Sequence, residues 1–563
     1  MKKGRMVFGA VILYFIVATG IYCVKMNSDP ISSDVVEETT EAAIKPETAP
    51  DNEVIANNDK SMDIISRHSL PQLERMEKED QDMYINNLQV IKKIEQLGLD
   101  AEDFLYPEIS VSNIEAVTRA KGSSYYDYSK RVDFSGATSQ ELQQVIDDNP
   151  NATIEINSEQ IRVTEAVVLH DNTTINGNGV RFIGEGIACG FIAQSASGIC
   201  LNNIIIEGKI DYAMYFVNCD NLNITQNTIE GCQQKAMCII GPTSGLIIQN
   251  NKMSSNQAGA LYIAGDVSQG LVEDNIIINN DGNSNWMAGI VLTNAVPTNE
   301  GDIWSVFDDQ HQFPIIDGKD QLDCPHNILI RNNEIADNTS VGIYSDGAYM
   351  CYLLNNMVCQ NDKGGISLNH GTIGFYLSEN ILEYNGCRMS QSDDDLKFDF
   401  VHESGRMEDG SAKAKLPGIS LDNAAYNIIE NNNISNNYGG GIKMVHTAIR
   451  NLVMENVIRD NNIGKNDTFS FYGIEFGASS QGIENVGVDY TADYENIICK
   501  NIISGKHHSG IFIAEGCYIN DLFDNVVMDS EAYGIEAVSQ KFNSIVNNTT
   551  NCGVYNEFQK SDS

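Results

Sequence analysis

Positive charge is what this chain has least of. Its 563 residues carry 36 Lys and Arg against 77 Asp and Glu, for a formal net charge of −41. Phosphate binding needs clustered Lys and Arg, so nucleic acid is excluded as a partner. An acidic surface suits an exported protein, a cation-binding one, or both. The 13 cysteines include no C-x-x-C pair, so neither a zinc site nor a redox motif is indicated. Cys200 and Cys351 stand where other repeats carry Ile or Leu, and free cysteine packs there as a small hydrophobe. The chain is also too long for one compact core, a limit that does not apply to a solenoid growing in one dimension.

What the chain does have is asparagine at a fixed place in a repeating unit. The unit reads apolar-x-x-Asn-x-apolar, as in Ile224-Thr-Gln-Asn227-Thr-Ile229, Ile248-Gln-Asn-Asn251-Lys-Met253 and Ile330-Arg-Asn-Asn333-Glu-Ile335. It continues through Asn356, Asn380, Asn432, Asn456, Asn501, Asn525 and Asn548. A period of about 23–24 residues marks a solenoid whose repeats bury apolar faces only against their neighbours. Identical amides one strand spacing apart can hydrogen-bond along the stack, as in-register parallel strands require. An asparagine-rich low-complexity tract would show no such register.

The second half of the unit excludes a leucine-rich repeat. About ten residues after the Asn comes a second alternating strand: Gly289-Ile-Val-Leu292, Gly365-Ile-Ser-Leu368, Gly418-Ile-Ser-Leu421, Gly441-Ile-Lys-Met444 and Gly510-Ile-Phe-Ile513. Several strands per turn and no helix mean a β-helix. On these residues, over about 132–555, the chain resembles the pectate lyase-like superfamily of right-handed parallel β-helices. The fold expected is therefore all-β, a single right-handed parallel β-helix of about 14–16 coils. The resemblance implies a substrate groove on the Gly-Ile sheet and leaves the activity open among lyases, hydrolases, esterases, epimerases and binding modules. The polygalacturonase pattern is absent in its usual order, although Asn369-His-Gly371 and Gly441-Ile-Lys443 echo parts of it. The Asp-Pro-His motif of alginate epimerases is absent too.

Ahead of the repeats, Lys2, Lys3 and Arg5 precede an uncharged stretch from Met6 to Val24. That is close to the ~20 residues that span a bilayer, so residues 1–25 are expected to be a cytoplasmic tip and transmembrane helix. The remainder would then be extracytoplasmic on a single-pass anchor. Residues 26–61 are acidic and read as a disordered linker. Residues 62–131 read as a helical stalk and lead-in, with a loose helical period from Leu70 to Leu97. Leu142, Val145 and Ile146 are spaced for a short helix over the open end of the stack. Residues 556–563 form a tail.

Breaks in the period point to the chemistry. Extra sequence lies at Pro297–Cys324 (with Trp304), at 387–416, and near 463–471 and 479–494, each beside an end of a Gly-Ile strand. Alternation then places Tyr344 and Asp346, Ser367 and Asn369, Ser420 and Asp422, Lys443 and Val445, and Glu475 and Gly477 on the outer face, with His370 and His446 at strand ends. Asp346, Asp422, Lys443 and His446 are the candidate catalytic residues. Tyr344, Asn369, His370, Glu475 and Trp304 are the candidate substrate contacts. Asp346 and Asp422 are expected two coils apart, ~9.6 Å between backbones, against ~6.5–9.5 Å for the carboxyls of inverting glycosidases. In an elimination or epimerisation, Lys443 or His446 would remove the proton beside a uronate carboxylate. Asp346, Asp422 and Glu475 would then hold a cation, Ca2+ by ligand type. The function expected is a polysaccharide lyase, epimerase or glycoside hydrolase, and its rival is a non-catalytic β-helix that binds glycan or scaffolds a partner.

Overall fold

The computed structural model describes residues 15–16, 21–22, 89–99, 101–104, 107–123, 130–282, 287–294, 323–386, 417–445, 448–463, 472–477, 493, 495–514, 517, 519–538 and 543–556. The linker 26–61, the four extra segments except their margins, and the tail beyond Asn556 lie outside them. The chain divides into two units, Met1–Val54 and Ile55–Ser563.

In the first unit the expected membrane helix is not what forms. Its described residues, Phe15–Ile16 and Ile21–Tyr22, are two short strands paired antiparallel. Among the described residues no helix is long and apolar enough to cross a membrane. The single-pass membrane anchor expected for this segment is therefore not supported. An aperiodic apolar run fits a strand as well as a helix, and Phe, Ile and Tyr favour the strand.

The second unit is a right-handed parallel β-helix of about 14 turns. Each coil contributes three strands, and each strand pairs in parallel with its equivalent one coil on. The Gly-Ile sheet runs through Val341–Asp346, Gly364–Asn369, Ile419–Asp422, Ile442–Val445 and Ile474–Gly477. A second sheet includes Tyr352–Leu354 and Tyr376–Ser378, and a third includes Met357–Cys359 and Ile381–Glu383. Inside, β-branched side chains stack on their own kind. Ile290, Ile343, Ile366, Ile419, Ile442, Ile474, Ile511 and Ile535 form one column by register, and none is more than 1% exposed. Truncating one such side chain to Ala costs about 2–5 kcal/mol.

Three asparagine ladders, not one, hold the corners. The ladder expected from the repeat runs unbroken from Asn227 to Asn548, each Nδ2 donating to the next Oδ1. A second runs five residues later in each coil, from Asn256 to Asn461. A third runs five residues earlier, from Asn427 to Asn543. All three share one turn: the residue before the ladder Asn is left-handed, as at Asn250 (φ 56), Asn279 (φ 56) and Arg450 (φ 53). Asparagine tolerates that conformation better than most residues, which accounts for the Asn-Asn doublets.

The open end is capped by a helix, Ser139–Asp148, whose Leu142 and Ile146 join the interior. Thr138 and Glu141 close a capping box at its start. Of the helical stretch expected over Leu70–Leu97, Gln89–Leu97 is described and is α-helical. A 3-10 turn, Ala101–Phe104, and a second helix, Pro107–Ser123, follow. These elements do not stand off as a stalk but lie along the β-helix. Phe104 stacks on Tyr426 with ring centroids 4.9 Å apart. Glu115 accepts from Arg331 at 2.7 Å, and Arg119 donates to buried Glu273 at 2.6 Å. The segment crosses from the end of the Gly-Ile sheet to the second sheet like a strap.

Candidate active site on the Gly-Ile sheet

Register decides which candidate residues are neighbours. Tyr344, Ser367, Ser420, Lys443 and Glu475 occupy one column of the sheet on consecutive coils. Asp346, Asn369, Asp422, Val445 and Gly477 occupy the column two residues on, so Asp346 and Asp422 flank Asn369 at two strand spacings. All these side chains point away from the interior stack, yet Tyr344, Asp346, Asn369, Lys443 and Glu475 are each less than a tenth exposed. Trp304 and His446 lie outside the described residues.

The turn after Asn369 differs from those on the two adjacent coils. Between Asp346 and its bridge partner column at Tyr349 lie two residues, between Asn369 and Ile373 three, and between Asp422 and Ala425 two. The extra residue makes room for His370 (φ 44) and Gly371 (φ 79), and an extra residue of this kind re-aims a side chain. Thr372 pins the turn, its backbone N–H and its hydroxyl both donating to the Asn369 carbonyl, at 3.1 and 2.7 Å. His370 swings back so that Nδ1 lies 3.0 Å from Asp346 Oδ1 while 63% of its side chain stays exposed. Its backbone N–H donates to the Asp422 carbonyl at 2.9 Å. The imidazole is thus oriented by one carboxylate, and its strand is locked to the residue carrying the other.

Lys443 and Glu475 form a separate pair, Nζ to Oε1 3.8 Å, in the neighbouring column. An ion-paired ammonium is a donor with no lone pair to accept a proton, which weighs against Lys443 as a base. The calcium set does not assemble. Asp346 carries His370, Glu475 faces Lys443 from the other column, and among the described residues no three His, Cys, Asp or Glu converge on a metal position. Further along the same face Tyr472 stacks on Phe512 with ring centroids 4.2 Å apart.

The residue that sequence reasoning missed is Lys93, on the first strap helix. It is 2% exposed, and Nζ donates to the carbonyls of Gly347 at 2.6 Å and Gly371 at 2.9 Å, the residues directly after Asp346 and His370. Burial lowers its pKa, opposed by the charges of Cys324 and Asp346. Burial also pushes the neighbouring Cys324 thiol up to about 11, so that sulfur is a packing group and not a nucleophile.

Comparison with known proteins places the chain among β-helices. The profile of the family described as right handed beta helix region matches residues 165–302 and 412–550. That of the periplasmic copper-binding protein family (NosD) matches residues 321–470. The described residues do not bring together a copper ligand set, so no copper chemistry is derived. No curated protein matches. Solved structures that align include the mannuronan C-5 epimerase A-module of Azotobacter vinelandii, at 12% identity over 75% of this chain and 99% of that one, TM-score 0.43. A GH87 alpha-1,3-glucanase catalytic domain aligns at 12% identity over 70% and 68%, TM-score 0.49. A tailspike protein of an E. coli bacteriophage aligns at 12% identity over 73% and 74%, TM-score 0.42.

Proposed function

We propose that this right-handed parallel β-helix, matched over two stretches by the right handed beta helix region family, is a polysaccharide-active enzyme whose reacting groups are His370, Asp346 and Asp422. The observation that carries the reading is the His370–Asp346 contact at 3.0 Å beside an exposed imidazole face. A carboxylate on Nδ1 fixes the proton there, so Nε2 is the nitrogen that acts as the base. Asp422 lies on the coil next to His370, whose backbone N–H donates to its carbonyl at 2.9 Å, so a second carboxyl stands on the same face beside the base. In that arrangement His370 takes the proton of the attacking water and Asp422 protonates the leaving oxygen. The acidic sheet face and the net charge of −41 repel polyuronates and favour a neutral polysaccharide.

A second reading keeps the same base. His370, as the exposed member of the pair, would remove the proton beside a uronate carboxylate, giving elimination or epimerisation instead of hydrolysis. One screen separates the two. The full chain is incubated with neutral and acidic polysaccharides, following reducing ends and the ultraviolet absorbance of unsaturated uronates. New reducing ends from a neutral glycan, lost in His370→Gln and Asp422→Asn, support hydrolysis. Absorbance from a uronan, lost in His370→Gln alone, supports elimination. Glycan binding without turnover, unchanged in both variants, overturns the enzyme reading in favour of a binding module.

A further inference from the structure

We propose that Lys93 is a positioning residue for this site: by bridging Gly347 and Gly371, it holds the turns that follow Asp346 and His370 at the spacing their contact needs. The inference rests on the proposed function for its catalytic consequence, though not for its structural one.

The two acceptors are on consecutive coils, and neither belongs to a regular strand. Gly347 and Gly371 both have φ +79, a conformation that side chains rarely adopt. A Cβ at Gly347 would lie 3.3 Å from Lys93 Nζ and 3.4 Å from Cys324 Sγ, and one at Gly371 would lie 3.6 Å from Lys93 Cδ. The glycines therefore allow both the turn and the entry of the lysine. The His370 turn carries one residue more than its neighbours, and the amides here are held coil to coil, Gly347 to Asn369, His370 to Asp422 and Gly371 to Asn423. A buried ammonium with three donors adds a hold on the carbonyl side, with contacts of 2.6 and 2.9 Å to Gly347 and Gly371. Burying it is costly unless its donors are satisfied, and here the acceptors are the carbonyls that flank the pair. The rest of the strap makes its own contacts away from these turns, Phe104 on Tyr426, Glu115 on Arg331 and Arg119 on Glu273.

Three variants test this. Lys93→Met removes the donors while keeping the stem. Lys93→Arg keeps donors and charge. Glu115→Gln weakens the strap over the second sheet and leaves the turns alone. Hydrogen exchange reads the amides of Gly347, His370 and Gly371, which donate to Asn369, Asp422 and Asn423. In Lys93→Met these amides are expected to exchange at least about tenfold faster, with the ladder amides of Asn432 and Asn456 unchanged as a control for folding. On a glycan that the wild type turns over, kcat falls by about 100-fold with KM within about threefold, the pattern of misplaced groups rather than lost binding. Lys93→Arg restores most of both, and Glu115→Gln affects neither. Unchanged exchange at the three amides in Lys93→Met overturns the proposal whether or not any glycan is a substrate. So does an equal kcat loss in Glu115→Gln. Absence of turnover in the wild type fails the enzyme reading alone, and the exchange measurement still decides the role of Lys93.

Discussion

Asn275 and Asn333 hydrogen-bond to each other, Nδ2 to Oδ1 at 3.0 Å, across 58 residues of sequence. The same contact joins Asn380 to Asn432 across 52. Extra chain enters the coil elsewhere and leaves the asparagine corner as it was.

The ladder should therefore be as sensitive inside an interrupted stretch as in a regular one. Asn333 gives Nδ2 to Val272 and Asn356 and accepts the backbone N–H and Nδ2 of Asn275. Asn333→Leu leaves a buried N–H and a buried carbonyl unpaired, and about 3 kcal/mol of stability should be lost. Asn548→Leu, on the last and partly exposed rung, should cost about 1 kcal/mol. Urea midpoints at constant slope check both, and equal losses would show that the rungs do not act through burial.

Acid should destabilise the protein in two windows. His507 continues the second ladder after Asn461, with Nε2 3.4 Å from Asn461 Nδ2, and burial pushes its pKa down to about 4. The unfolded chain takes up this proton near the usual 6.5, the folded one only near 4. Stability is thus fully present above 6.5 and falls by about 3 kcal/mol on acidification to 4. Arg331 holds Glu115 near 2, so its smaller contribution is lost below about 4.5. His507→Asn should abolish the upper window and extend the ladder by one rung. An unaltered dependence of the urea midpoint between pH 7.5 and 5 in that variant would exclude His507 as its origin.

Asp346→Asn and His370→Gln should each lower kcat by about 100-fold, and the double variant by little more than either alone. Full additivity would mean that the two side chains act independently. Because His370 is largely exposed, His370→Gln should leave thermal stability within about 0.5 kcal/mol of wild type.

The buried cysteines among the described residues should be silent in the folded protein. Nine of the eleven described ones are buried, and burial is the main cause that pushes Cys200, Cys232 and Cys499 up to about 12. An aromatic disulfide reagent at pH 8 should reach Cys359 and Cys552 first and those nine only on unfolding. Fast labelling of Cys351 in the native state would contradict the packed interior.

How much of this was legible in the residues depends on how far apart the partners are. The first ladder was readable because one motif recurs at constant spacing. The second and third repeat with the same period, five residues either side, and Asn427, Asn432 and Asn437 display the whole pattern in one coil. The columns holding Asp346, Asn369 and Asp422 followed from strand alternation. Their pairing with His370 did not, because it depends on a single added residue that shifts a turn. The apolar run Met6–Val24 misled because hydropathy alone does not choose between helix and strand. Lys93 left no local trace, since its acceptors lie 254 and 278 residues away.

That separation has a consequence for biosynthesis. A chain leaves the ribosome N-terminus first, and a β-helix can wind coil by coil as it emerges. The strap is made before any coil, but its seat at Gly347 and Gly371 appears only after more than two hundred further residues. The strap must wait to dock, so a ribosome stalled before Gly371 would carry many finished coils and an unfinished Gly-Ile face.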